Sequence, residues 1–287
     1  LPALAGLSAQ TPPLLVETNR SHLPPHRDYT RVIVPVDLNG DLHPDLVVGT
    51  GYKWSNWGSG DRLYLNDGRG GFEEVVGSPL SRHARDTRII LAGDLDQDGN
   101  ADLVVVSNDQ ARPSQIRIHL GDGKGGLKTT AGPPVTGGTE YRCGVLGDLD
   151  GDGDLDMILG CPGTADLYFN SGKGVFTIAG QIPSVFGRYP QGFALGDLDR
   201  DGDLDLVAAS GKGKSIQVWH NNGKGRLIRW TSGHYQVGSW VKILLLADMD
   251  RDGIQDLFLG IGSSTSNNSL IYRGDGKGGF RTSGNPT

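Results

Sequence analysis

A nine-residue acidic stretch, repeated five times, limits what this chain can fold into more than any other feature. Its third copy is Asp148-Leu-Asp-Gly-Asp-Gly-Asp-Leu-Asp156, with carboxylates at positions 1, 3, 5 and 9. Such carboxylates would repel one another strongly unless a hard cation such as Ca²⁺ neutralised them. We therefore predict a Ca²⁺ loop in each copy, with these ligands: Asp37, Asn39, Asp41 and Asp45; Asp94, Asp96, Asp98 and Asp102; Asp148, Asp150, Asp152 and Asp156; Asp197, Asp199, Asp201 and Asp205; Asp248, Asp250, Asp252 and Asp256.

The sixth position separates the first loop from the others. Four loops have Gly there, which allows a positive φ, whereas the first loop has Leu42 and also has Asn39 in place of an aspartate. The first loop is therefore expected to bind weakly or to stay vacant, which gives four to five Ca²⁺ ions. An EF-hand is excluded because its acid at position 12 is replaced by an apolar residue in every copy, such as Leu159 in the third.

The spacing of the loops predicts the architecture. The first aspartates stand at 37, 94, 148, 197 and 248, and repeats of about 50 residues indicate a propeller or a solenoid. Each unit contains four apolar or alternating segments, and a Gly-rich turn such as Asn66-Asp-Gly-Arg-Gly70 precedes the fourth. We predict an all-β, five-bladed β-propeller of four-stranded antiparallel blades with Ca²⁺-binding inter-strand loops. A linear stack and a piece of a larger propeller are the alternatives.

The predicted domain division has two parts. Residues 1–28 form an N-terminal segment, and residues 29–287 form one propeller with blades at 29–80, 81–135, 136–184, 185–235 and 236–287. In the segment, residues 1–9 are either the end of a signal peptide or an ordinary apolar tail. Residues 12–17 are expected to add a strand that joins the first blade to the last.

Charge and calcium together predict where the protein works. The formal net charge is −6, and 19 of the 33 acidic residues are the aspartates of the five loops, so five bound Ca²⁺ would change this charge to +4. Loops of this kind usually need the high calcium found outside the cytosol, which predicts an extracellular, cell-surface or periplasmic protein. No basic run suggests nucleic-acid binding, and no apolar run reaches the roughly 20 residues of a membrane span.

The two cysteines flank the third loop. Cys143 lies five residues before its first aspartate and Cys161 lies five residues after its last, so a hairpin about the loop would bring them opposite each other. Either a cross-strand disulfide or two buried thiols would fit this spacing.

The five D-x-[DN]-x-D-(G)-x-x-D-[LM] stretches and the five turns resemble the FG-GAP/VCBS repeats, which occur in integrin α-subunit propellers, in some fungal lectins and in many bacterial secreted or surface proteins. The resemblance covers about residues 29 to 283. It implies that each Ca²⁺ loop joins the two inner strands of a blade at one face of the disc and steadies the blade. It implies little about function, because propellers support many activities.

The predicted binding residues lie opposite the loops. Six residues before each first aspartate stand Arg31, Arg88, Arg142, Gln191 and Lys242, which would form a basic collar at the mouth of the central channel. The collar would either capture an anion or pair with Asp86, Glu140 and backbone carbonyls. Tyr52, Trp54 and Trp57 would either form a stacking platform or pack within their own long loop.

Several enzyme signals fail in this sequence. The Gly-rich turns open no helix and so are not dinucleotide-binding motifs, and the seven histidines are not expected to join a metal set with carboxylates. We predict a non-catalytic, calcium-stabilised, secreted or surface propeller that binds a protein partner through the face opposite the loops. Such a partner could also hold the protein at a membrane, which the chain itself is not expected to cross. A lectin that binds a glycan on that face is the first alternative. A polysaccharide lyase or another enzyme built on the propeller is the second.

Overall fold

The computed structural model describes residues 23, 29–51, 60–83, 86–109, 112–136, 140–183, 190–210, 215–238, 240–262 and 269–282. These residues form twenty strands. The predicted closing strand at 12–17, the segment 1–9 and the aromatic residues Tyr52, Trp54 and Trp57 lie outside the described residues.

The strands are grouped in fours along the chain. The first group is β1 (Tyr29–Val36), β2 (Asp45–Gly51), β3 (Arg62–Asn66) and β4 (Phe72–Glu74). A 3₁₀ helix, Pro79–His83, follows it. The second group is β5 (Asp86–Gly93), β6 (Asp102–Asp109), β7 (Arg112–Gly121) and β8 (Leu127–Ala131). The third group is β9 (Cys143–Gly147), β10 (Asp156–Cys161), β11 (Thr164–Asn170) and β12 (Phe176–Pro183).

The last two groups follow the same plan. The fourth is β13 (Pro190–Gly196), β14 (Asp205–Ser210), β15 (Ser215–His220) and β16 (Ile228–Gln236). The fifth is β17 (Val241–Ala247), β18 (Asp256–Ile261), β19 (Ser269–Gly274) and β20 (Phe280–Thr282).

Each group is one blade. Its four strands form a separate antiparallel sheet in which they lie in chain order. The prediction of a five-bladed β-propeller with four-stranded antiparallel blades is confirmed.

The apolar core lies between successive blades. Val34 on β1 packs with Ile90, Leu103 and Val105 of the second blade, and similar clusters join blades two and three, three and four, and four and five. The second strand of a blade is buried on both faces, as the continuous run Leu103–Val106 on β6 shows. Such a strand needs no polar positions, which is why its sequence reads as an unbroken apolar run.

A repeated hydrogen bond ties the Gly-rich turns of blades two to five to the acidic loop of the preceding blade. Gly125 N–H donates to the Leu38 carbonyl oxygen at 2.9 Å, and the same bond recurs from Gly174 to Leu95, Gly225 to Leu149 and Gly278 to Leu198. Loops and turns therefore lie at the same end of the blades. The connections between strands two and three leave the blades at the other end.

The two cysteines are free and buried, and the register of the third blade explains why. Cys143 on β9 is opposite Gly160 rather than Cys161. Because side chains alternate between the two faces of a sheet, this offset of one residue sends the two thiols to opposite faces. Cys161 belongs to the core between blades two and three, and Cys143 to the core between blades three and four.

The described residues include no helix with the length and apolar character needed to cross a membrane.

The contact between turn and preceding blade can be tested with two glycines that both have a positive φ. At Gly225 (φ 69°) an added Cβ would lie 2.3 Å from Phe169 Cζ, whereas at Gly70 (φ 88°) it would meet no atom within 4 Å. Both alanine variants should lose about 1 kcal/mol to backbone strain. Gly225→Ala should lose roughly 1–3 kcal/mol more because of overpacking. Urea unfolding measures the difference, and equal losses would contradict this account of the blade contact.

Candidate metal centres

The acidic loops connect the first and second strands of every blade, and the aspartate at position 9 of each loop is the residue on which the loop closes. Asp156 is fully buried at the start of β10. Its Oδ2 accepts from Leu149 N–H at 2.9 Å, and its Oδ1 accepts from Asn170 N–H at 2.9 Å. One side chain thus joins the beginning of the loop to the Gly-rich turn of the same blade. We call this arrangement the aspartate clasp.

The clasp is present in all five blades. The aspartates Asp45, Asp102, Asp205 and Asp256 each accept the same two backbone N–H groups, at 2.7 to 3.3 Å. Burial raises the pKa of Asp156 to about 6, and it raises that of Asp205 to about the same value. Carboxylates that are costly to ionise in the folded state would be relieved by a nearby cation.

The aspartate at position 1 shapes the loop. In the third blade Asp148 Oδ1 accepts from Gly151 N–H at 2.8 Å, and Oδ2 accepts from Gly153 N–H at 3.0 Å. Gly153 has a φ of 91°, as the glycine at position 6 predicts. Position 4 is also left-handed, even where it is not glycine: Gln97, Arg200 and Arg251 have φ of 61° to 69°. Position 4 is glycine only in the first and third loops, so the amino-acid pattern does not mark this second left-handed position in the other three.

The second and third loops fit a cation best. In each, the aspartates at positions 1, 3 and 9 bring oxygens within 4.8 Å of one another. Three of these oxygens, Asp94 Oδ1, Asp96 Oδ1 and Asp150 Oδ1, are buried and have no hydrogen-bond donor in the protein. Burial and the neighbouring Asp98 carboxylate raise the pKa of Asp96. Buried oxygens without a donor are what a hard cation binds.

The first loop departs from this geometry. Asn39 Nδ2 donates to Asp41 Oδ2 at 2.9 Å, so an amide satisfies part of the cluster that a cation would otherwise neutralise. Leu42 holds the position of the missing glycine with a φ of 67°, and its side chain is 87% exposed. The first loop therefore has the same left-handed backbone conformation at position 6 as the other loops, although leucine rather than glycine stands there.

In the fourth blade the loop has a histidine neighbour that the sequence analysis missed. His220, the last residue of β15, lies with Nδ1 3.2 Å from Asp199 Oδ2, and it forms a close group with Asp199 and Asp205. The expectation that no histidine joins a carboxylate metal set is therefore wrong for His220. Antiparallel pairing brings the end of the third strand beside the loop, which the spacing along the chain does not reveal.

The fifth loop has a positively charged neighbour. Arg273 on β19 reaches Asp250 and Asp256, at positions 3 and 9, and forms an ion pair with each. Asp248, Asp250 and Asp252 are still grouped closely enough to hold a metal ion, but all three are exposed.

At the opposite end of the blades, the predicted basic collar is largely paired with acids. Arg31 Nε lies 2.9 Å from Asp86 Oδ1, and Arg88 Nη2 lies 2.6 Å from Asp86 Oδ2. Arg142 Nη2 lies 2.8 Å from Glu140 Oε2. Of the two interpretations given above, the structure shows the pairing with Asp86 and Glu140 in the first three blades.

The fifth blade has a different arrangement at this end. Lys242 Nζ lies 5.2 Å from the centre of the Trp240 ring, within the range of a cation–π contact. Trp240 is 41% exposed and Lys242 is exposed as well. A similar pair occurs in the first blade, where the Arg31 guanidinium lies 4.8 Å from the Tyr29 ring. Trp240 and Tyr29 each stand two residues before the collar residue of the same blade.

A family model for the FG-GAP-like repeat matches residues 37–105, 94–159, 148–208 and 201–259. The chain belongs to this family. Each match begins in one acidic loop, passes through the next acidic loop and ends within the strand that follows it, so the matches together cover all five loops. No curated protein matches the sequence.

Solved structures share the propeller fold of this FG-GAP-like repeat protein at low sequence identity. A lectin of Agrocybe aegerita that recognises non-reducing terminal N-acetylglucosamine is 19% identical, with a TM-score of 0.61 over 87% of this chain and 64% of that one. A rhamnogalacturonan lyase of Bacillus licheniformis is 15% identical, with a TM-score of 0.54 over 88% of this chain and 50% of that one. BBS1N, solved in complex with ARL6DN, is 16% identical, with a TM-score of 0.55 over 88% and 67%.

The chain spans about half to two thirds of the length of these structures, so they show the fold alone.

The clasp and the cation ligands can be separated by substitution. Asp156→Ala should lower the free energy of unfolding by roughly 3–5 kcal/mol even in chelator, because two buried N–H groups lose their acceptors, and by more in Ca²⁺, because Asp156 is also a predicted ligand. Asp152→Ala, which removes only an exposed acceptor of Asp154 N–H, should change stability by less than about 1 kcal/mol in chelator. With Ca²⁺ present, Asp152→Ala should lose much more. Denaturant unfolding in both conditions measures this, and equal behaviour of the two variants would contradict it.

The strain at the first loop gives a stabilising substitution. Leu42→Gly should raise the free energy of unfolding by about 1 kcal/mol, since glycine adopts the positive φ without a Cβ clash. The matched control is Gly99→Leu, which places leucine at the same position of the second loop, where φ is 85°, and should destabilise. Thermal and urea unfolding measure both, and a destabilised Leu42→Gly variant would show that the side chain contributes contacts that outweigh the strain.

Proposed function

We propose that this chain is a calcium-stabilised, non-catalytic propeller, secreted or displayed at a cell surface, that serves as an interaction module. The observation that carries the proposal is the set of buried carboxylate oxygens without a donor in the second and third loops. A cation bound there would join β5 to β6 and β9 to β10 at the clasp, and would stabilise the folded state by mass action. Loops of this chemistry are usually filled at extracellular calcium concentrations.

The acidic residues of the loops support a structural rather than a catalytic role. The position 9 aspartates are buried and accept two backbone N–H groups each, and the position 1 aspartates accept backbone N–H groups within their own loop. A general acid or base needs a carboxyl group that a substrate can reach. The resemblance to a lyase, at 15% identity, is a likeness of fold and carries no activity to this chain.

The interaction surface is proposed to lie at the end opposite the loops, around Trp240 and Lys242 of the fifth blade. An exposed aromatic ring beside a cation suits either a protein contact or a sugar, because both can stack on the ring and accept hydrogen bonds from the ammonium group. Arg31, Arg88 and Arg142 each form an ion pair with Asp86 or Glu140, whereas the described contact of Lys242 is with the Trp240 ring.

A carbohydrate-binding function is the second candidate. The same Trp240 ring favours it, since sugars stack on exposed indoles, and a lectin has this fold. An aromatic residue two positions before a basic collar residue occurs in the first and fifth blades, as Tyr29 with Arg31 and Trp240 with Lys242, and not in every blade, which argues against a sugar site repeated in each blade.

The test is capture of ligands from a native extracellular fraction with Ca²⁺ and then with chelator, with bound proteins and glycans identified by mass spectrometry. Trp240→Ala and Lys242→Ala should each lower capture at least tenfold without changing the melting temperature. Lys224→Ala, an exposed lysine on the turn at the loop end, is the matched control and should retain capture. Capture of a stoichiometric protein supports the interaction module, and capture of one glycan without protein supports the lectin. Loss of capture in Lys224→Ala alone would place the surface at the loop end.

A further inference from the structure

The residue directly before each Gly-rich turn differs among the blades. This position is held by Leu65, Leu120, Phe169, His220 and Arg273. In the first three blades it is apolar and packs against the turn of the following blade: Leu65 against Gly125, Leu120 against Gly174 and Phe169 against Gly225. Arg273 therefore places a charged group at a position that serves apolar packing in blades one to three.

Arg273 turns toward the acidic loop of its own blade. Its Nη1 hydrogen-bonds to Asp250 Oδ2 and lies 3.4 Å from Asp256 Oδ2. These carboxylates hold positions 3 and 9 of the fifth loop. The Asp256 side chain is only 2% exposed, so the guanidinium reaches the buried end of the cluster as well as its rim.

The position 3 aspartates have different neighbours in the second and third blades. There the position 3 aspartates, Asp96 and Asp150, each keep a buried Oδ1 that receives no hydrogen bond from the protein. In the fifth blade both oxygens of the position 3 carboxylate have a donor, since Asp250 Oδ1 accepts from Asp252 N–H and Oδ2 accepts from Arg273 Nη1. The protein itself provides the positive charge that the other two loops lack.

We infer that Arg273 is a resident cation in the fifth loop and that this loop binds Ca²⁺ much more weakly than the second and third loops. The inference rests on the proposed calcium binding and assigns the ions among the blades. A guanidinium stays protonated in proteins, so its charge cannot be lost to make room for a metal. An incoming Ca²⁺ would meet the repulsion of that charge at a few ångströms and would have to displace it from two of its own ligands.

Removing the guanidinium should create a calcium site. Arg273→Leu, which installs the residue found at this position in the first two blades, should tighten Ca²⁺ binding at the fifth loop at least tenfold and add one ion to the number bound. The number of ions is counted by native mass spectrometry at a fixed Ca²⁺ concentration, and the affinity is measured by calorimetric titration. The difference between the melting temperature in Ca²⁺ and that in chelator should be larger for Arg273→Leu than for the unchanged protein.

Two variants control for charge. Arg273→Lys keeps a positive side chain and should bind the same number of ions as the unchanged protein. Arg281→Leu removes an exposed arginine directly opposite Arg273 on β20, and it should also leave the number unchanged. An added ion in Arg281→Leu would show that net charge, rather than contact with the loop, controls binding, and it would overturn the inference.

The reciprocal variant is Leu120→Arg, which places the guanidinium beside the second loop and should remove or weaken one bound ion. Its melting temperature in chelator shows whether it has folded, and if it has not, the Arg273 variants decide alone. An unchanged ion count in Arg273→Leu, with ions bound to the unchanged protein, would overturn the inference and leave the proposed function intact. Binding of no ion by any variant would overturn both.

Discussion

The rest of the structure depends on the two backbone hydrogen bonds that the position 9 aspartate accepts in each blade. Its two oxygens fix the start of the acidic loop and the start of the Gly-rich turn, so they hold the first, second and third strands of a blade at one end. The turn then donates to the loop of the preceding blade. A buried carboxylate with two N–H donors is strongly destabilised if either partner is lost, so the clasp favours a single arrangement of loop and turn. The clasp occurs in all five blades, and the turn-to-loop bond joins blades two to five to the blade before each of them.

Much of this could be predicted from local sequence. The apolar strands, the glycines at position 6 and the Gly-rich turns act over a few residues, so the blades and their order follow from them. What could not be predicted depends on cross-strand neighbours. Arg273 and His220 meet the acidic loops only because the third strand runs back beside them, and the separation of Cys143 from Cys161 depends on a register offset of one residue. The two left-handed positions of the loops divide in the same way, since glycine stands at position 6 in four loops but at position 4 in only two.

The first and fifth blades show that the burial of apolar side chains depends on a neighbouring blade. Ile33 on β1 is 54% exposed, whereas Ile90, at the same position of the second blade, is 5% exposed. Ile243 and Leu245 on β17 are also exposed, while Leu244 and Leu246 on the other face of that strand pack against the fourth blade. Among the described residues, the same apolar pattern is therefore buried only where a second sheet faces it. Burial here is a property of the blade interface, since the pattern of each single strand is already apolar on both faces.

The five repeats share a fold, but the groups that lie beside their acidic clusters differ from loop to loop. All five loops group acids around the clasp, and each group must be balanced in the folded state. The second and third loops leave buried oxygens for an external cation, the first replaces one carboxylate with an amide, the fourth has His220 at its edge and the fifth has Arg273. An external ion makes stability depend on its concentration, whereas a side chain supplies its charge under all conditions. If the second and third loops bind Ca²⁺ as proposed, the stability of blades two and three would follow calcium, whereas blade five carries its own counter-charge, so chelation would weaken blades two and three before blade five.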